Sequence, residues 1–324
     1  MRRLETATTE TRMDAPRRTK VVIGTRGSEL ARTQAQMVSD ALRAHWSRLA
    51  IETRVIRTSG DQRKSDRAVS RAGRKGLFTG EIERALLVED VDLAVHSAKD
   101  LPSQLSAGTE IAAVLPRAAA DDVLVAIEPW KMESLPGRAT VATGSVRRES
   151  QLRWRRPDLD IADLRGNVPT RLRKLANDQW HGIILARAGL ERLGHDIGSG
   201  RIDFEGREFF TQVLPREIFL PAGGQGIIAI QIRSTDERAR LLIEPLNDCD
   251  TRLCLRAERE FLRLLHGDCN QPVSVLATID ATVIKIRAQV FDLGATTPRE
   301  SSVEGPSEDA ERLAAELLQK INAQ

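Results

Sequence analysis

Apolar positions along the chain fall into short buried-looking runs, separated by turns and by stretches with helical spacing. Val21-Val22-Ile23 reads as a strand, Gly24 to Ser28 as a turn, and Glu29 to about Ala44 as a helix. A strand from Thr53 to Ile56, a helix from Phe78 to Val88 and a strand from Asp92 to His96 continue the alternation, which predicts a mostly parallel α/β sheet. A second series has strands near Asp122 to Val125, Ala139 to Ala142, Ile161 to Leu164 and Gly182 to Ala186, with a helix after each. Leu220-Pro221-Ala222-Gly223-Gly224-Gln225-Gly226 then forms a Gly-rich turn before an apolar strand, read as a return crossing between the two domains with a hinge in it. Beyond Ser234 the pattern changes to a helix (Thr251 to Leu265), two strands at hairpin spacing (Val273 to Thr278, Val283 to Val290) and a last helix from Ser307. The expected division is a disordered tail over 1–19, an α/β domain over 20–116 completed by 216–233, a second over 117–215, and a smaller α+β domain over 234–324. No internal repeat is visible in the sequence.

At 324 residues the chain is long enough for two or three domains. Even Gly226-Ile227-Ile228-Ala229-Ile230 is closed by Gln231 and Arg233, so no apolar run approaches the 18 or so residues of a membrane span, and no membrane partner is expected. A net charge of +3 and only seven Phe and four Trp, with no Tyr, argue against a nucleic-acid partner. Eight of the 49 basic residues are lysine; the rest are arginine, whose fork grips carboxylates in two-point fashion. Cys249, Cys254 and Cys269, spaced by five and fifteen, fit neither a disulfide framework nor a zinc site, so no metal is expected and the compartment is read as reducing. Residues 1 to 20 lack the apolar core of a secretory signal and include Glu5, Glu10 and Asp14, which a transit peptide avoids; a cytoplasmic protein is expected.

One local arrangement recurs three times: a strand ends, an arginine appears in the turn, and a helix begins. Ile23 leads to Arg26 and Ser28; Val141 leads to Thr143, Ser145, Arg147 and Arg148; Leu164 leads to Arg165, Asn167 and Arg171. Ligands of open α/β sheets sit beyond the carboxyl ends of strands, where helix N-termini also offer N–H groups, so these arginines would ring a ligand with several negative groups. His96-Ser97-Ala98-Lys99-Asp100-Leu101-Pro102 places a Lys–Asp pair at another strand end, where the acid could stabilise positive charge or relay a proton, or form an ordinary surface ion pair. Cys254 falls inside a helix among apolar neighbours and reads as packing, whereas Cys269 lies in a loop as a nucleophile, an anchor or a bystander.

From Val21 to the C-terminus these segments resemble the hydroxymethylbilane synthase, or porphobilinogen deaminase, family. The resemblance rests on Ile23-Gly24-Thr25-Arg26-Gly27-Ser28, Lys75-Gly76-Leu77-Phe78-Thr79, Val95-His96-Ser97-Ala98-Lys99-Asp100-Leu101-Pro102, Ser145-Val146-Arg147-Arg148, Leu164-Arg165-Gly166-Asn167-Val168 with Thr170-Arg171-Leu172, Ala188-Gly189-Leu190, and Leu220-Pro221-Ala222 with Gly224-Gln225-Gly226, in the family's order. It implies two periplasmic-binding-protein-like α/β domains with crossing strands plus a smaller C-terminal α+β domain. It also implies a transferase of porphyrin biosynthesis that condenses four porphobilinogen molecules head to tail, releasing ammonia, and hydrolyses the product free as hydroxymethylbilane. The family's primer is a dipyrromethane cofactor held by a thioether, at the position of Cys269 here. By the same resemblance Asp100 stabilises cationic pyrrole intermediates and shuttles protons, and Lys99, Arg26, Ser28, Arg147, Arg148, Arg165, Arg171 and Arg192 hold side-chain carboxylates. Thr143, Ser145 and Gln225 add hydrogen bonds, and the loop around Lys75 closes over the site. A monomer that hands its product to uroporphyrinogen III synthase is implied as well.

The chain departs from the family pattern in places. Gly267-Asp268 precedes Cys269 where two glycines are usual, which places a negative charge beside the thiol and would raise its pKa. Gly144 stands where serine is common, Gly80 where lysine is common, and Gly198 to Gln212 is longer than a typical family loop. The rival from another class is a non-catalytic receptor or regulator domain that closes on small anions; it gives no reason for Cys269 and Asp100.

Overall fold

The structure is a computed structural model that describes residues 20–58, 79–265, 272–292 and 294–324; the expected tail, Lys75 and Cys269 lie outside the described residues. In the first domain β1 (Lys20–Arg26), α1 (Glu29–His45), β2 (Ala50–Ile56), α2 (Gly80–Leu87), β3 (Leu93–Ser97) and β4 (Thr109–Val114) follow one another. Ser28 caps α1 by accepting from Ala31 N at 3.3 Å. Ala35, Val38 and Leu42 then turn one helix face onto Val21, Ile23 and Val95 of the sheet. Each of the Val, Leu and Ile side chains stabilises the fold by about 1.5–3 kcal/mol on burial, and Ala35 by less.

The return crossing β11 (Ile228–Arg233) enters between β3 and β4, giving the order β2-β1-β3-β11-β4. It runs antiparallel to both neighbours, while β2 and β3 are parallel to β1.

The second domain contains β5 (Asp122–Ala126), β6 (Thr140–Ala142), α3 (Val146–Arg155), β7 (Asp160–Ala162), α4 (Val168–Asn177), β8 (Gly182–Ala186), α5 (Arg187–Arg192), β9 (Arg201–Phe204) and β10 (Arg207–Leu214). Its sheet order is β7-β6-β8-β5-β10-β9, with β6 parallel to β7 and β8 and with β5 antiparallel to β8 and β10. Both faces of the sheet are covered: Val123, Val125, Ile183 and Leu185 enter one core and Leu124, Ala126 and Ile184 another. This is why the strands read as unbroken apolar runs.

After α6 (Glu237–Ile243), the third domain packs α7 (Cys249–Leu264) and α8 (Ala310–Asn322) on an antiparallel sheet of β12 (Val273–Asp280), β13 (Val283–Val290) and β14 (Arg299–Pro306). The architecture is thus two sheet-and-helix domains, each sheet completed by a crossing strand, with a smaller third domain.

The structure departs from the sequence reading in specific ways. The crossing strands β5 and β11 make both larger sheets mixed. Gly198 to Gln212 is a hairpin, β9 with β10, that widens the second sheet rather than a plain loop. β4 and α6 were not anticipated, and neither was β14, where only Val303 is buried so no alternating apolar signal exists. Among the described residues no helix is long and apolar enough to cross a membrane.

Candidate active site

β3 ends in a single 3-10 turn, Ala98–Asp100, anchored by buried Ala98 and Leu101, so that Lys99 and Asp100 emerge half-buried. The return crossing lies directly against this turn. Gly224 has φ +75°, and a Cβ there would sit 2.8 Å from the Lys99 amide nitrogen, so the approach requires glycine. Its neighbour Gln225 accepts from Lys99 Nζ at a long 3.4 Å. Burial, reinforced by Arg148 and Arg147 and opposed by Asp100 and Asp122, pushes the Lys99 ammonium down to about 8.

Across from it stands the start of α3. Thr143 Oγ1 accepts from Ser145 N at 3.2 Å, and Ser145 caps the helix by accepting from Arg148 N at 3.4 Å. Arg147 and Arg148 are each 5% exposed. Arg147 donates through Nη2 to Asp122 Oδ2 at 2.7 Å and through Nη1 to the Leu220 carbonyl at 2.7 Å. Arg148 donates to Asp122 Oδ1 from Nη2 at 2.6 Å and from Nε at 3.2 Å, and through Nη1 to the Ile184 carbonyl at 2.9 Å. Burial would raise the Asp122 pKa, but the two guanidinium charges outweigh it and hold the carboxyl far below the usual carboxylate range. The pair read from sequence as gripping ligand is therefore also engaged with a carboxylate of the protein. These contacts use only part of each guanidinium's five N–H donors.

Arg171 donates through Nε to the Gly166 carbonyl at 2.7 Å, and burial, with Arg148 and against Asp100 and Asp163, lowers its pKa to about 10. Arg192 donates through Nη2 to the Gly226 carbonyl at 2.6 Å, its Nε is buried without a hydrogen-bond partner, and burial lowers it to about 10 against the charge of Glu191. Lys99, Arg171 and Arg192 have no ion pair with a carboxylate among the described residues. Three partly desolvated cations without a directly paired carboxylate are costly, and the charges of Asp100, Asp122, Asp163 and Glu191 offset only part of that cost, so the residues present fit a group carrying several carboxylates. Arg26 is half-buried at the end of β1, where its charge acts on His96, and Ser28 is occupied as the α1 cap. Arg165 is exposed and pairs with Asp163 at 2.8 Å.

Two of the departures acquire a structural setting. A Cβ on Gly144 would meet the Leu164 carbonyl oxygen at 2.3 Å, so this backbone excludes the family's serine, whereas Gly80 has open space beside it. Cys254 is buried and its thiol is pushed up to about 12, chiefly by burial, in accord with packing.

Sequence reasoning missed Asp122, Arg117 and Glu258. Glu258 is fully buried on α7: Oε1 accepts from Arg117 Nη1 at 2.6 Å and Ala277 N at 2.8 Å, and Oε2 from Gly224 N at 2.6 Å. Arg117 also donates from Nε to the Gln225 carbonyl at 2.9 Å. Their available signal was position: Glu258 interrupts the apolar stripe of Cys254, Leu255, Ala257 and Phe261, and Asp122 opens an apolar strand. Among the described residues no group of three or more His, Cys, Asp or Glu could hold a metal ion.

A family model described as porphobilinogen deaminase, dipyromethane cofactor binding domain, matches residues 21–241, and one for the porphobilinogen deaminase C-terminal domain matches 252–323. The porphobilinogen deaminase of Moorella thermoacetica is 41% identical over 304 residues, covering 94% of this chain and 93% of that protein. That of Syntrophus aciditrophicus is 42% identical over 299 residues, covering 92% and 94%. Among solved structures, the methionine binding protein MetQ overlaps with a TM-score of 0.43 at 12% identity, over 72% of this chain and 92% of its own, too slight a likeness to bear on function. With both family models in register and relatives near 40% identity along almost its whole length, the chain belongs to the porphobilinogen deaminase family.

Proposed function

We propose that the chain is a hydroxymethylbilane synthase: it joins four porphobilinogen molecules head to tail with release of one ammonia at each addition, then hydrolyses the tetrapyrrole free. The observation that carries the reading is the cluster of cations beside Asp100: half-buried Lys99 and Arg171, with no ion pair to a carboxylate among the described residues, together with buried Arg147 and Arg148; Arg192, half-buried and likewise without an ion pair, is held to the return crossing at Gly226. Porphobilinogen bears an acetate and a propionate, so each addition brings two carboxylates that guanidinium forks and an ammonium match. When bound through Cys269, the dipyrromethane supplies the pyrrole end on which the chain is extended. Thr143 and Ser145 contribute hydrogen bonds, Gln225 acts through its contact with Lys99, and Arg26, Ser28 and Arg165 lie at the strand ends where further carboxylates arrive.

Asp100 holds the one carboxylate that the β3 turn presents among these cations. Its role is to face developing positive charge and to accept pyrrole N–H groups, which a partly desolvated site strengthens. The same reading makes the protein a cytoplasmic monomer that acts without nucleic acid and passes its product to uroporphyrinogen III synthase.

The test is Asp100→Asn in the primer-loaded protein. Porphobilinogen consumption falls by about 100-fold or more while the intact mass keeps the primer increment. Near-normal consumption in Asp100→Ala contradicts the assignment.

A further inference from the structure

We propose that Asp122 is a positioning residue for this reaction: it fixes the Arg147–Arg148 pair and, through the side chain of Gln225, aligns Lys99 beside Asp100. The assignment rests on the activity proposed above. Asp122 is the first residue of β5, the strand by which the chain enters the second domain, and it is fully buried. Both its oxygens are engaged: Oδ2 accepts from Arg147, and Oδ1 accepts from Arg148 and from Gln225 Nε2 at 2.9 Å.

The second amide hydrogen of Gln225 is directed to the Ala120 carbonyl at 2.7 Å. With both amide hydrogens committed to the first crossing, Gln225 Oε1 is left facing Lys99 Nζ across 3.4 Å. A hydrogen-bonded line thus runs from the second domain, through the return crossing, to the Lys–Asp turn of the first. One buried carboxylate among Lys99, Arg147 and Arg148 leaves the cluster net positive, ready for incoming carboxylates, where a purely structural pair would need only one arginine. The groups facing Lys99 are Asp100 on its own turn, Asp122 on β5, and Arg147 and Arg148 on α3.

The experiment compares Asp122→Asn, Gln225→Leu and the double variant in the full-length, primer-loaded protein, with intact mass and melting temperature as controls. A relay predicts that each single variant loses about tenfold or more in kcat/KM with the primer retained, and that the double variant loses no more than the worse single. Multiplicative losses, or full turnover in folded Asp122→Asn, overturn it. If Asp122→Asn does not fold, Gln225→Leu decides alone: loss of turnover with retained primer supports the relay and unchanged turnover overturns it.

A readout independent of turnover is the 13C signal of reductively methylated Lys99, assigned by its loss in Lys99→Arg. Removing the Asp122 charge, or the Gln225 link if Asp122→Asn does not fold, must shift this signal and lower the pH at which it titrates; an unmoved signal overturns the proposal. If the wild-type protein leaves porphobilinogen unconsumed, the activity falls, and the Lys99 signal still decides the relay.

Discussion

His96 lies on β3 four residues before Asp100 and is 5% exposed. Burial pushes its imidazole down to about 4, against the opposing influence of the Glu83 charge, the Gln231 hydrogen bond and Asp100. In the unfolded chain an imidazole titrates near 6.5, so between the two values the unfolded state binds the extra proton. The stability contributed by neutral His96 is therefore complete above pH 6.5 and is lost as pH falls towards 4, by about 3 kcal/mol in all. Urea unfolding at pH 7 and pH 4.5 checks this: His96→Gln flattens the difference, and an identical pH slope in both proteins rules it out. Asp122 behaves separately, because a carboxylate held below its ordinary range loses its contribution only under about pH 4. At this scale the arginines were legible because each follows a strand end directly. The partner of Arg147 and Arg148 was not, since Asp122 is 25 and 26 residues away on another strand.

Helix starts were the most legible elements. Ser28, Ser145 and Asn167 all cap where a strand, a turn and a cap residue occur in succession, because capping is settled within four residues. Edge strands fared worse, as β14 shows: a strand paired on one side with one buried side chain has little apolar pattern to display. The α7 stripe was legible, but its buried Glu258 holds the third domain to both crossings through Arg117 and Gly224. Breaking such a pair from one side leaves an uncompensated buried charge, so Glu258→Ala destabilises by about 3–5 kcal/mol. Adding Arg117→Ala to it removes the stranded cation, and the double variant loses less than the sum of the singles in denaturant unfolding. Additive losses show that the two residues act separately.

Over the whole molecule, the two larger sheets follow one plan: three parallel strands, then an antiparallel strand, then a strand restoring the first direction. Within this shared order the reversed strand is β11 in the first sheet, the chain returning, and β5 in the second, the chain arriving; β9 adds a further antiparallel strand at the second sheet's edge. No sequence repeat announces this shared order, because strand order is set by which edges pair and many apolar sequences satisfy the same pairing. The exchange of strands has a chemical consequence. It carries Asp122 and Gln225, one on each crossing, to the place where the carboxyl ends of both sheets meet, between Asp100 on one side and Arg147 and Arg148 on the other. The site is thus built from two domains, while its covalent anchor is assigned to the third.

That assignment is tested by the intact mass of the denatured protein, compared with Cys269→Ser, because a thioether survives denaturation and a merely bound ligand does not. The account predicts a mass increment of two porphobilinogen-derived pyrrole units that disappears in Cys269→Ser. A bare-chain mass in the wild-type protein, persisting after incubation with porphobilinogen, would contradict it.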